Sequence, residues 1–299
     1  MRLAFFNDFR LGVVREKEVV NVEESLKGLV YGNPQELMER VIVNFQDLKP
    51  QFERIAKKGK GIPISQVRLR PPVPRPSKLL CAVASYREFG QLPPLEQDFF
   101  LKSPSCIIGD RDTVELPPAK ASIFHHEAEL GLVIGKTTSK VGQDKAMASI
   151  FGYVPFIDVS ARGLMPRGRL SFFMMKSWDT FGPMGPYLVT ADEVPDPHNL
   201  KVRLWVSGEL RHDFNTSDMG HPLPEVIEFL SSVVTLEPGD VVATGTNHQG
   251  LGALQDGDEV VMEIEGMGKL TVHVNDPQKR QWPRGIDHEA GRRVVANRG

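Results

Sequence analysis

Residues 67–78 read VRLRPPVPRPSK, with four prolines in six consecutive positions. Proline lacks the N–H that a helix interior or a central strand requires, and its ring fixes φ, so no regular element runs through this stretch. The chain is therefore divided here. On the N-terminal side, LAFF, RLGVV and EVVNV within residues 3–22 read as a small meander broken by polar turns. Residues 34–58 follow as helix. Pro34 suits a first turn, and Leu37, Val41, Phe45 and Leu48 recur at helical spacing. Pro50 is expected to interrupt or divide that helix. The division is a small N-terminal α/β domain over 1–70, a main body over 71–280 and a loosely held tail over 281–299.

The main body consists of short apolar runs between turn residues. LLCAVASY, residues 79–86, suits a buried strand, and Arg87 to Phe100 is a polar, proline-bearing loop or lid. Residues 123–135 and 151–162 read as further strands, and 200–214 as a hairpin on Ser-Gly. Residues 224–234 read as helix, and LEPGDVVATGT and LQDGDEVVMEIEGMGKLTVHV as strand units with Gly-Asp turns. Many short strands with few helices give a β-rich α+β fold with a curled sandwich or barrel-like body. A formal net charge of −2 with both signs interspersed offers nucleic acid no basic stripe. No apolar run is long enough to cross a bilayer, and Asp8 and Arg10 come too early for a signal peptide. Cys81 and Cys106 lie far apart and outside any metal-ligand spacing, which fits a reducing cytoplasm and two buried packing residues.

The chemistry concentrates in IFHHEAELGLVIG, residues 123–135. In one continuous strand Glu127 and Glu129 point the same way, roughly 7 Å apart at Cα. Two carboxylates on a half-buried face repel and lose hydration, so protons, cations or a metal must compensate them. The competing reading is a solvated strand face. Asp158 at a strand end reads alone as a turn residue, and Lys176 among apolar neighbours as a lysine that snorkels outward. Alternation places His125 on the glutamates' face and His126 on the other, whereas His198, His212 and His221 beside turns read as surface or capping residues.

Taken together, HHEAELGLVIGK, IDVSAR, KSWDTFGPMGP, LEPGDVVATGT and GDEVVMEIEGMGKL, in that order, resemble the fumarylacetoacetate hydrolase family. The resemblance spans roughly residues 70–275 and implies a mixed β-roll catalytic domain, usually in a homodimer. It also implies one divalent ion, Mg²⁺ or Mn²⁺ with Ca²⁺ as a further option, held by Glu127, Glu129 and Asp158. Lys176 matches a lysine facing the substrate, and Gly245 and Thr246 match a turn holding substrate carboxylate oxygens. Arg162 matches an arginine that contacts substrate or orients a metal-site carboxylate, and Tyr86 a tyrosine of the lid.

The lid also departs from the family. An Asn-Tyr-x-x-His pattern followed by a glutamate activates water in the family's hydrolases. Here Ser85-Tyr86-Arg87-Glu88-Phe89 puts phenylalanine in the histidine's place, the glutamate position falls near Leu92, and Gly163 and Met165 also differ. Glu88, Glu96 and His248 remain as candidate bases. The expected function is metal-dependent hydrolysis of a C–C bond in a small 2-oxo or 1,3-dioxo carboxylic acid. The alternatives are a decarboxylase or tautomerase/isomerase that needs no activated water, and a decayed protein that binds metal and carboxylate without turnover.

Overall fold

The computed structural model describes residues 1–166 and 169–296. Its central element is the strand Ala128–Ile134, in which every residue is buried. Antiparallel neighbours Ile150–Ile157 and Val241–Ala243 flank it, and Leu79–Ala82 runs parallel to the latter. Both faces of these strands are covered, which is why they read as continuous apolar runs instead of alternating. Gly152 belongs to this packing, because a Cβ there would lie 2.3 Å from the carbonyl oxygen of Val189 on the next strand. A second sheet places Lys201–Val206 between Glu209–Asn215 and Glu259–Ile264, and continues through Lys269–Asn275 to Thr113–Glu115. The Lys201–Val206 hairpin turns on Ser207 and Gly208, both left-handed, as a two-residue turn matched to strand twist requires. The architecture is the expected strand-rich α+β.

The N-terminal strands extend the main sheet. Arg2–Phe6 pairs with Leu188–Thr190 and with Arg10–Arg15, and Leu69–Arg70 pairs back onto Arg2–Phe6. One buried apolar cluster contains Phe5, Phe6, Val73, Leu130 and Phe156. The proline-rich crossing therefore marks a change of element type, with neither sheet nor core interrupted there.

Three expectations are corrected. The helical stretch breaks at Asn44, between Pro34–Val43 and Phe45–Lys58, and Pro50 lies inside the second helix. Asn44 caps the first helix by donating its side-chain amide to the Arg40 carbonyl, whereas Pro50 removes a single backbone donor. Residues 282–296 are held and not loose. The Trp282 ring packs edge-on against Phe124, and helix His288–Ala296 lies on the turn His248–Gly250. Residues 297–299 of the expected tail lie outside the described residues. Finally, the strand expected over 123–135 is two strands separated by His126 and Glu127.

Candidate active site

That break builds the site. Ile123–His125 pairs with Ser160–Arg162 in a separate small sheet, whereas Ala128–Ile134 pairs with Ile150–Ile157. Both chains leave the main sheet at the same level, and Glu127 and Asp158 occupy the gap. The Asp158 N–H donates to the Glu127 carbonyl at 2.9 Å across it. Glu129, one step into the strand, completes a buried cluster in which one ligand atom from each of Glu127, Glu129 and Asp158 lies within 4.8 Å of the others.

Among the described residues, side-chain cations meet two of the three carboxylates. Lys176 Nζ donates to Glu127 Oε2 at 2.5 Å and to Asp158 Oδ2 at 2.8 Å. Its helix, Phe172–Lys176, docks through Phe172 stacked on Phe100 at 4.6 Å, which turns the lysine inward and corrects the snorkelling reading. Lys102, also buried, reaches Asp158 Oδ1 at 2.5 Å. Arg162 pairs with Glu127 Oε1, which also accepts the Ser160 hydroxyl at 3.1 Å. The geometry of Arg162 is that of a group orienting a metal-site carboxylate.

Glu129 is different. It accepts the Gly245 N–H at 2.7 Å. Burial, then the charges of Asp158 and Glu127, pushes its carboxyl well above the usual range. Burial opposes ionisation of Glu127 too, but Lys176 and Arg162 outweigh it and hold that carboxyl below its ordinary value. Three convergent oxygen donors, one without a cation among the described residues, fit a hard divalent ion, and a dication would relieve the strain on Glu129. Gly245 is left-handed at φ +83, which lets its N–H reach Glu129, so that donor serves a ligand carboxylate here. The Thr246 hydroxyl is buried and lies 3.4 Å from the Asn247 carbonyl. Tyr86 is buried edge-on against Phe214, at 5.1 Å between ring centroids, and burial drives its phenol upward.

Two of the three candidate bases meet. Glu88 is fully buried; its Oε1 lies 2.6 Å from His248 Nδ1, and its Oε2 accepts the His248 backbone N–H at 2.9 Å. His248 follows three residues after Gly245, whose N–H bonds Glu129, so this pair lies on the same side as the carboxylate cluster. Glu96 is exposed, and Phe89 is 53% exposed. A His–Glu pair thus exists, with the histidine supplied by the turn after Thr-Gly-Thr and the glutamate by the lid.

His212 is not a surface residue. It lies buried on Glu209–Asn215, with Nε2 3.1 Å from His126 Nδ1, and burial lowers it to about 4. Burial also lowers His125, to about 3, and His126. His198 accepts the Leu223 N–H at 2.9 Å at the start of the helix Leu223–Val233, and His221 bonds Glu225 and the Leu95 carbonyl. Sequence reasoning missed Lys102 and Ser160. The only signal for Lys102 was a lysine closing the apolar run FFLK.

A family model for the fumarylacetoacetate (FAA) hydrolase C-terminal domain matches residues 79–275. A maleylpyruvate hydrolase of Aquipseudomonas alcaligenes is 35% identical over 291 residues, covering 92% of this chain and 99% of the relative. The oxaloacetate tautomerase YisK of Bacillus subtilis (strain 168) is 38% identical over 225 residues, 71% of this chain and 74% of the relative. Among solved structures, maleylpyruvate hydrolase from Sphingobium sp. SYK-6 in complex with manganese(II) ion and pyruvate superposes with a TM-score of 0.83. It is 37% identical, and the match covers 92% of this chain and 99% of that one.

Proposed function

Because the chain belongs to the fumarylacetoacetate hydrolase family, we propose that it is a metal-dependent hydrolase cleaving a C–C bond in an acylpyruvate-like 2-oxo acid. The observation that carries this reading is the Glu88–His248 pair beside Glu127, Glu129 and Asp158. Those three carboxylates would hold Mg²⁺ or Mn²⁺, which would supply Lewis-acid polarisation of the 2-oxo group, and the manganese and pyruvate of the Sphingobium enzyme support this choice.

The chain's own residues do the rest. Glu88 fixes the proton of His248 on Nδ1, leaving Nε2 free to take a proton from water. The hydroxide formed adds to the distal carbonyl carbon. The C–C bond then breaks, its electron pair passes into the pyruvate enolate, and the proton on Nε2 returns to C3 of that enolate. The products are pyruvate and a carboxylic acid. Lys176 presents a cation to the developing enolate oxygen, and Arg162 and the Gly245 N–H keep the ligand carboxylates oriented. Thr246 and Tyr86 complete the substrate side of this proposal.

A tautomerase reading has its own support in the Bacillus relative, since the same histidine could move a proton between the C3 carbon and the enol oxygen. Maleylpyruvate and oxaloacetate offered separately distinguish the two. Pyruvate release from the first supports hydrolysis, and oxaloacetate enol–keto conversion without cleavage of the first supports tautomerisation. Binding of pyruvate with turnover of neither would leave the decayed binding protein.

The reading also includes a cytoplasmic homodimer. Two free, buried cysteines and the exposed Leu170 and Phe173 support it, and sedimentation tests the dimer. No described helix is long and apolar enough to cross a membrane. The division into segments 1–70, 71–280 and 281–299, the first two of which share one sheet and core, belongs to the same proposal and is tested by limited proteolysis.

A further inference from the structure

We propose that Asp218 is a positioning residue that locks the lid segment carrying Glu88 to the turn carrying His248. The inference rests on reading that pair as the catalytic base. Glu88, Phe89 and Gly90 are consecutive left-handed residues, with φ of +52, +59 and +72. Side chains with a Cβ resist that conformation, so Glu88 and Phe89 hold it only if something else fixes the loop. Asp218 does so at the close of the short turn Thr216–Asp218. Its Oδ2 accepts the Phe89 N–H at 2.8 Å, its Oδ1 accepts the Gly90 N–H at 2.9 Å, and its carbonyl accepts the Arg87 N–H at 2.9 Å. Three donors from four consecutive lid residues thus end on one residue.

The same Oδ2 accepts the Asn247 side-chain amide at 2.9 Å. Asn247 Oδ1 in turn accepts the Gln249 N–H at 3.0 Å, which caps the turn His248–Gly250. Glu88 closes the circuit by bonding His248 at both Nδ1 and the backbone N–H. The ring of contacts runs from Asp218 through the lid to Glu88, across to His248, and back through Asn247. A charged acceptor at the hub is suited to gathering three amide donors. Asp218 does not belong to the metal-site cluster, so its contribution is to where the base stands and not to ion binding.

The test compares Asp218→Ala and Asp218→Asn with His248→Gln in the full chain, on maleylpyruvate with saturating Mn²⁺. A misplaced base costs up to about a hundredfold. We expect kcat of Asp218→Ala to fall about ten- to a hundredfold, with KM and the calorimetric Mn²⁺ affinity within about threefold of wild type. If Asp218→Ala does not fold, Asp218→Asn is read in its place, because it keeps the shape and one acceptor. Adding Asn247→Asp to Asp218→Asn restores the link with its donor reversed and should recover part of the lost kcat. Asp218 variants with wild-type kcat beside an inactive His248→Gln would overturn the inference alone. Loss of Mn²⁺ binding in Asp218→Asn would also overturn it, by assigning the residue to the ion site. Full activity in His248→Gln would overturn the reading of the base and this inference with it.

Discussion

Glu88→Gln removes one charge from a fully buried position and keeps the shape. The wild-type carboxylate faces two groups of His248, the backbone N–H at 2.9 Å and Nδ1 at 2.6 Å. A glutamine must turn its carbonyl to one and its NH₂ to the other. With the NH₂ against the backbone N–H, two buried donors oppose each other, at a cost of about 1–3 kcal/mol. The other orientation therefore wins. Its NH₂ then donates to Nδ1, so the imidazole proton must sit on Nε2, the atom required to accept a proton from water. Stabilisation of the imidazolium is lost as well, and a hydrogen bond to a charged group contributes about 1.5–3 kcal/mol. Loss of a positioned general base lowers rates by about 10²–10⁴, or roughly 3–5.5 kcal/mol of barrier. Initial rates of pyruvate release from maleylpyruvate measure this. We expect kcat to fall at least a hundredfold with Mn²⁺ affinity unchanged. A variant within threefold of wild type would refute the role given to Glu88.

Lys102→Met should leave Asp158 short of one buried cation; breaking such a pair costs about 3–5 kcal/mol, and because Lys176 still compensates we expect the lower end, read as a melting point several degrees down. For His212 the sign is set by its lowering from 6.5 to about 4. The unfolded chain binds the extra proton between those values, so stability is fully present above pH 6.5 and is lost as pH falls toward 4, by about 3 kcal/mol. Denaturant titrations across that window check it, and a flat profile would contradict the buried neutral histidine. Ending the chain at residue 281 removes the helix packed on the turn His248–Gly250 and the Asp287 N–H bond to the Leu251 carbonyl at 2.7 Å. We expect lower kcat with Mn²⁺ binding retained, measured on the same substrate.

Much of the site was legible from residue type and order. Glu127, Glu129, Asp158 and Lys176 could be picked out together because the resemblance ordered their motifs, and the structure brings the three carboxylates within 4.8 Å of one another and bonds Lys176 to two of them. What periodicity could not show was the break at His126–Glu127. Both flanking runs are apolar, and only the change of pairing partner distinguishes two strands from one. Lys102 was hidden for a related reason, since its role depends on Asp158, 56 residues away. His212 looked like a surface residue because alternation in an exposed hairpin does not reveal that its other face meets His126. The Asn44 break was missed because a polar cap two positions beyond the last core residue, Ile42, outweighed the proline that drew attention. The pairing of Glu88 with His248 joins residues 160 apart, and no local pattern encodes it.

Everything in the proposed chemistry depends on one divalent ion held by the three buried carboxylates. Calorimetric titration of Mn²⁺ into the wild-type protein and into Glu127→Ala, Glu129→Gln and Asp158→Ala tests this most directly. We expect one ion per chain in the wild type and no stoichiometric binding in the three variants, each still folded by circular dichroism. Undiminished single-site binding in any folded variant would contradict the site.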